Sequence, residues 1–338
     1  MEAGKISRAF FERRIATRLG ADRDDVTLGP KHGVDFGVVS VGDRAVVAAT
    51  DPVSVLPELG FERAGEFAIG IVLSDVAVSG LSPTHLTVSF SLPPSMTDAE
   101  FDRLWGAIDA ECRDLGVSVV TGHTARYEGC SFPWVGAATG IAVGDHESIV
   151  RPDGARVGDE IVVTNGPAVE AVGLLTTLFP ETVPLSGSAL QTAQARLDDV
   201  GSVRDALLAA ASGEVTAMHD ATEGGLLGAF AEMAGSAGVR FAVDADSVPW
   251  LPGVETACEA LGMDPWRATT SGTLVITVDP DDADAVLDVL RDRGTSAARV
   301  GRVESGSGVE LDGDTVDAPD GDSSWPVYER LLEASSER

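Results

Sequence analysis

Apolar residues in the first fifth of the chain fall into short runs with two different periods. Phe10, Phe11, Ile15 and Leu19 recur at helical spacing and Gly20 follows, which predicts a helix over 6–19 with a glycine stop. Residues 36–41 and 45–50 are rich in β-branched positions and are joined through Gly42-Asp43, the pattern of a hairpin whose second strand ends at Asp51. Residues 66–79 are apolar nearly all round, as a helix buried between layers would be, and Asp75 lies inside that run. A strand over 84–92, an amphipathic helix over 98–115, a strand over 117–121 ending at Gly122-His123-Thr124, and a long strand over 134–143 complete this half.

The stretch from Gly144 to Asp159 is polar and rich in turn formers, which places a domain boundary near residue 150 and gives domains 1–150 and 151–338. A second α/β series follows it. Strands are expected over 160–164, 215–218, 239–243, 274–278 and, as the closing strand, 297–303. Helices are expected over 167–179, 203–211, 223–234 and 281–291. Residues 305–324, dense in Gly, Asp and Ser, read as a mobile or hairpin-like surface stretch.

Charge narrows the range of partners. Fifty-four acids oppose 24 bases for a formal net charge of −30, and Lys5 and Lys31 are the only lysines. DNA and anionic membranes are poor partners for such a surface. Carboxylate crowding on a folded body is relieved by concentrated salt, where the Debye length falls to ~3 Å at 1 M, so the composition implies the salt-rich cytoplasm of a halophile. Residues 2–5 form no apolar leader, and no segment approaches the ~18 uninterrupted apolar residues of a membrane helix, so a cytoplasmic location is expected. Cys112, Cys130 and Cys258 are odd in number and widely spaced, which points to reduced thiols rather than a disulfide framework or a zinc knuckle.

Five polar landmarks remain: Gly33-Val34-Asp35, Thr50-Asp51-Pro52, Ser74-Asp75-Val76-Ala77, Thr121-Gly122-His123-Thr124 and His219-Asp220-Ala221-Thr222-Glu223-Gly224-Gly225. Each sets a short acid or an imidazole beside Gly, Ser or Thr at the end of an apolar run, where oxygens and backbone N–H groups can together hold a hard cation or a polyphosphate. No Walker loop, G-x-S-x-G elbow, H-E-x-x-H helix or dinucleotide fingerprint occurs. A carboxylate inside an apolar helix, as at Asp75, demands a partner or a metal. Asp35 and Asp51 also fit ordinary turns, and Asp220 fits a helix N-cap. His32, His85 and His219 read as structural, and Phe101 and Trp105 as core.

Together with Gly4-Lys5, Phe10-Phe11, Gly29-Pro30, Gly80-Leu81-Ser82-Pro83 and Thr270-Ser271-Gly272-Thr273-Leu274, these landmarks resemble, in order over residues 4–303, the aminoimidazole ribonucleotide synthetase-related ATP-binding superfamily. In motif style the chain is closest to the hydrogenase-maturation carbamoyl dehydratase branch; selenophosphate synthetase and thiamine-monophosphate kinase are further members. The resemblance implies a two-domain, PurM-like α/β (α+β) fold, with an N-terminal α/β domain that binds ATP and dimerises through its sheet and a C-terminal α/β sandwich. It implies ATP and Mg²⁺ as cofactors, a homodimer, and a small-molecule substrate. By motif position Asp35, Asp51, Asp75 and Asp220 are the metal ligands; Lys5, Gly122, Thr124, Gly224 and Gly225 contact the nucleotide; His123 and Asp75 serve catalysis. Because ATP brings about four negative charges, a strongly acidic protein needs the metal between carboxylate and phosphate.

The chain departs from its relatives where the co-substrate is chosen. Its last residues, 331–338, hold no cysteine of the kind the dehydratase modifies, no cysteine precedes Cys112 as a selenophosphate synthetase would require, and His123 stands where the purine synthetase has an acid. The implied activity is ATP-dependent phosphorylation of an amide-like or other small acceptor. A non-catalytic nucleotide-binding maturation subunit and a kinase of the thiamine-monophosphate type stay open as alternatives. From the charge alone, the melting temperature followed by circular dichroism should rise by about 10 °C or more between 0.1 and 2 M KCl; a melting temperature indifferent to KCl contradicts the halophilic reading.

Overall fold

The computed structural model describes residue 4 and residues 6–337. The chain divides into two units: a smaller one of Arg23–Gly29 and Asp35–Ile149, and a larger one made from the described parts of Met1–Asp22, Pro30–Val34 and Val150–Arg338. Among the described residues no helix is long and apolar enough to cross a membrane.

Helix α1 (Arg8–Arg14), in the larger unit, is capped by the Ser7 side chain, which accepts from the Phe10 N–H. It is half as long as its apolar spacing predicts. None of its residues is buried, and Phe10, Ile15 and Leu19 are exposed. Without a packed face, a short helix has little to extend it.

The smaller unit comprises β1 (Val26–Leu28), β2 (Gly37–Val41), β3 (Arg44–Ser54), α2 (Phe61–Ala77), β4 (Pro83–Leu92), α3 (Asp98–Leu115), β5 (Ser118–Arg126) and β6 (Trp134–Gly144). Its sheet runs β1-β2-β3-β6-β4-β5 and is antiparallel except between β4 and β5. Helix α3 has the predicted bounds because both ends are specified. Thr97 and Glu100 form a reciprocal capping box, and Gly116 ends the helix at φ 74°. Helices α2 and α3 touch closely at Gly65, where an added Cβ would lie 2.7 Å from the Leu104 carbonyl oxygen.

Alternation along β3 separates the two faces of this sheet. Ala45, Val47, Ala49 and Val53 are buried beneath the helices, whereas Thr50 and Pro52 are exposed. On the open face Thr50 and Thr139 share a hydrogen bond of 2.8 Å. Val41, Val143 and Trp134 are exposed large apolar residues of the same sheet.

The larger unit continues with β7 (Glu160–Thr164), α4 (Val169–Leu178), α5 (Gly187–Gln194), α6 (Val203–Ser212), β8 (Val215–Ala221), α7 (Gly225–Ala237), β9 (Arg240–Val243) and α8 (Val254–Leu261). It ends with β10 (Thr273–Val278), α9 (Ala283–Asp292), β11 (Ala297–Glu304), β12 (Gly308–Leu311), β13 (Asp314–Val316) and α10 (Ser324–Ser336). The sheet order is β13-β12-β9-β11-β7-β10-β8, with β12 and β9 parallel. Leu226, Phe230 and Met233 of α7 pack on Ile161, Val163, Phe241 and Val300 of this sheet. A second core joins α4, α5, α8 and α10 through Val172, Leu175, Ala193, Leu261 and Leu331.

Three helices, α5, α8 and α10, fall where the sequence pattern gave no regular element, and the β12–β13 hairpin lies in the stretch 305–324 read as mobile or hairpin-like. Strand β11 therefore does not close the sheet; the hairpin adds beyond it, next to β9.

Candidate functional site

Asp51 does not end its strand. It lies inside β3, opposite Ala138 of β6, in the alternation class of buried Ala49 and Val53, so it falls on the helix-covered face. Pro52 is tolerated in mid-strand because β2 pairs with β3 only as far as Ala48, leaving β3 bordered on one side beyond it. Asp75 is 8% exposed in the last turn of α2, among buried Leu73, Val76 and Ala77. That turn crosses β6 at Gly140, where a Cβ would lie 2.8 Å from Val76 Cγ2 and 3.3 Å from the Val72 carbonyl oxygen. Gly140 pairs with Ala49, one step along the face from Asp51. The fold thus carries both acids into one apolar layer.

Asp35 is half-buried just before β2. The side-chain oxygens of Asp35, Asp51 and Asp75 do not come within 4.8 Å of one another as a trio, so as they stand the three do not surround a single ion. Their hard oxygen donors match the preference of magnesium, which keeps several waters and is held by one or two carboxylates together with substrate phosphates.

Gly122, His123 and Thr124 lie in the middle of β5 rather than beyond its end, because the parallel ladder with β4 continues to Leu92 and Arg126. Gly122 has a packing reason to be glycine: a Cβ would sit 2.4 Å from the Val88 carbonyl oxygen. His123 is exposed, and its Nε2 lies 3.0 Å from the Tyr127 hydroxyl. Lys5 lies outside the described residues.

In the larger unit Asp220 is 3% exposed within β8, paired with Leu274 of β10. Gly224 and Gly225 lead into α7 with φ of 86° and 65°, and a Cβ on Gly225 would lie 2.6 Å from the Trp266 carbonyl oxygen. Their amides have partners within the unit. Gly224 N–H donates to Asp322 Oδ2 at 3.0 Å, and Gly225 N–H to the Thr222 carbonyl at 3.0 Å. Asp322 also accepts from the amide and hydroxyl of Ser324.

Two acids that the motif reading passed over stand out. Glu170 sits in the first turn of α4, 8% exposed, and accepts from Thr269 Oγ1 at 2.8 Å and from Ser271 N–H at 3.1 Å. Burial pushes its carboxyl above the ordinary range, against the opposing hydrogen bonds from Ser271 and Thr269. The turn that presents it is strained, with Asn165 and Ala168 at φ 55° and 57°. A lone acid in the apolar run 167–179 was the available signal, the same one that identified Asp75. The second is Glu232 on α7, whose Oε2 lies 3.0 Å from Nε2 of buried His219 and whose Oε1 lies 3.8 Å from His32 Nδ1.

Comparison with known proteins gives a consistent family. Residues 33–142 match AIR synthase related protein, N-terminal domain, and residues 156–314 match AIR synthase related protein, C-terminal domain. Over 280 residues the chain is 30% identical to the carbamoyl dehydratase HypE of Rhizobium leguminosarum bv. viciae, covering 80% of this chain and 77% of that protein. It is 30% identical over 339 residues to the selenide, water dikinase of Geobacter sp. (strain M21), covering 91% and 94%. A solved structure of the hydrogenase maturation protein HypE in complex with ATP shares the fold, with a TM-score of 0.64 at 22% identity over 94% of this chain and 96% of that one. The resemblance and the two-domain fold expected from the motifs are both borne out.

The thiols complete the inventory. Burial pushes Cys112 up to about 11, with nearby Glu111 and Asp109 adding to the shift, and pushes Cys258 up to about 12, with Asp264 adding. Neither forms a thiolate at neutral pH, so neither serves as a nucleophile there. Cys130 is half-buried. Iodoacetamide at pH 7.5 should therefore modify Cys130 in the native protein and leave Cys112 and Cys258 until denaturant is added; peptide mass mapping that finds either labelled in the native state contradicts this placement.

Proposed function

Because this chain belongs to the AIR synthase related protein family, we propose that it is an ATP- and magnesium-dependent enzyme that activates a small acceptor by phosphoryl transfer. The observation that carries the reading is the placement of Asp51 and Asp75 in the helix-covered apolar layer of the smaller unit. Carboxylates are driven out of such a layer unless something compensates them there. Asp35, Asp51, Asp75 and Asp220 are assigned to the metal in this reading. Bound magnesium supplies charge neutralisation along the phosphates.

His123 presents its imidazole on the exposed strand β5 with Tyr127 beside it, a donor pair suited to a phosphate or acceptor oxygen. Gly122 and Thr124, flanking it, are assigned to the nucleotide, as are Lys5 and the amides of Gly224 and Gly225. The two amides already serve as donors to acceptors within their own unit, Asp322 and Thr222. The acceptor we assign is an amide-like or other small molecule; likeness to a relative named as a carbamoyl dehydratase supports the amide-like choice. High thiol pKa values argue that the acceptor is a separate molecule rather than Cys112 or Cys258.

The smaller unit also favours a homodimer. Strand β5 is nine residues long and lies at the sheet edge, eight of its residues are exposed, and Val119 and Val120 within it and Tyr127 just after it leave apolar surface exposed. Edge strands of this length and polarity are normally paired or covered. Light scattering should give twice the 34.9 kDa chain mass, and Val120→Lys should shift it to one; a monomeric wild-type protein rejects the dimer.

For the activity itself, Asp75→Asn should lower magnesium-dependent ATP turnover by about 100-fold or more, with a melting temperature within a few degrees of wild type. Wild-type turnover in that variant refutes the assignment.

A further inference from the structure

Segment 30–34 belongs to the larger unit although the residues on both sides of it belong to the smaller one. Five residues leave the larger unit little chain with which to hold this strap, so the contacts that do so are informative. Lys31 reaches Asp153 Oδ2 at 3.3 Å and the Ser236 carbonyl at 3.4 Å, near the C-terminal end of α7. One helical turn earlier on the same flank is Glu232. Gly33, at φ 74°, lies so close to it that a Cβ would sit 2.8 Å from Glu232 Cβ and 3.3 Å from its Cα.

Glu232 faces two imidazoles. Its Oε2 lies 3.0 Å from Nε2 of His219, which is 1% exposed beneath α7 on the face of β8 shared by Ala217 and Ala221. The carboxylate oxygen and the ring nitrogen stand at hydrogen-bond distance. Its Oε1 lies 3.8 Å from Nδ1 of His32 in the strap. One carboxylate thus holds a buried strand residue and an incoming segment at once. The residue after His219 is Asp220, and two residues after Gly33 comes Asp35. Both acids are assigned to the metal, and each lies within two residues of a residue that Glu232 contacts.

We propose that Glu232 is a positioning residue: it docks strap 30–34 on α7 and orients His219, so that the chain entering Asp35 and Asp220 is set before any ligand arrives. The positioning of metal ligands rests on the function proposed above; the docking of the strap does not. A preset backbone spares the ligand the ordering cost that would otherwise weaken its binding.

Two lysines in the whole chain make the docking directly measurable, because endoproteinase Lys-C can cut only after Lys5 and Lys31. With cleavage after Lys5 as the internal reference, Glu232→Ala should speed cleavage after Lys31 by about tenfold, whereas Glu232→Gln, which keeps the size and an acceptor for His219, should stay within about threefold of wild type. In calorimetric titration with MgATP, Glu232→Ala should weaken binding about tenfold and Glu232→Gln should largely restore it.

Unchanged cleavage after Lys31 in Glu232→Ala overturns the docking role. Faster cleavage with unchanged MgATP affinity overturns the positioning role. A wild-type protein that does not bind MgATP overturns the proposed function, while the protease result still decides the strap. If Glu232→Ala does not fold, Gly33→Ala breaks the same contact from the strap side and should reproduce the faster cleavage; slow cleavage in that variant overturns the proposal.

Discussion

Helix α2 reaches its sheet only because residue 140 has no side chain. Any Cβ there would press into Val76 and the Val72 carbonyl, lifting the last turn of the helix and Asp75 with it. Because Gly140 pairs with Ala49, the same contact fixes the height of Asp75 over the strand that carries Asp51. Close packing transmits such a displacement instead of absorbing it, since interiors are near crystal density. One missing methyl therefore sets the relation between two acids that stand far apart in sequence.

Elements with specified ends or strong periodicity are legible in the amino-acid sequence alone. Helix α3 is the clearest case, written by Thr97, Glu100 and Gly116, and the β2–β3 hairpin was readable from Gly42-Asp43 between β-branched runs. What the pattern could not show was continuation by partnership. Strands β3, β5 and β8 all run past the end of their apolar stretch, because the neighbouring strand goes on offering backbone partners. Each of Asp51, His123 and Asp220 consequently sits within a strand rather than at its end. Helix α5 is only eight residues long and buries Ala193 alone, too little period for a sequence pattern to register, whereas the equally short α8 buries Val254, Ala257, Cys258 and Leu261 at helical spacing and was legible in principle.

The candidate site divides along similar lines. Acids flanked by apolar residues announce themselves, as Asp75 did, and by the same token Glu170 was visible in principle. Glu232 was not, because alanines and an exposed-looking helix flank surround it in sequence, and its significance arises from His219 and His32, more than ten and about two hundred residues away. Pairings of that range are properties of topology. His219 read as structural, and its hydrogen-bond distance to Glu232 agrees with that reading while giving the structural role a specific object.

Surface charge brings these local arrangements under one constraint. With 54 acids and 24 bases, most carboxylates cannot find a cation, so the bases present must be spent where geometry matters. Arginine dominates because its planar fork holds a carboxylate through two parallel bonds, as Arg151 does with Asp153 at 2.9 and 3.1 Å. Asp153 is held below the usual carboxylate range by Arg151 first and by Lys31 after it, against the opposing effect of burial. Lys31 does something the fork does poorly: one ammonium serves both that carboxylate and the Ser236 carbonyl at the end of α7, two acceptors with no common plane. A compact cation at a helix C-terminus also meets the favourable end of the dipole. In a chain that otherwise almost excludes lysine, the one at position 31 stands where a point charge, and not a fork, fits the contacts that hold strap 30–34.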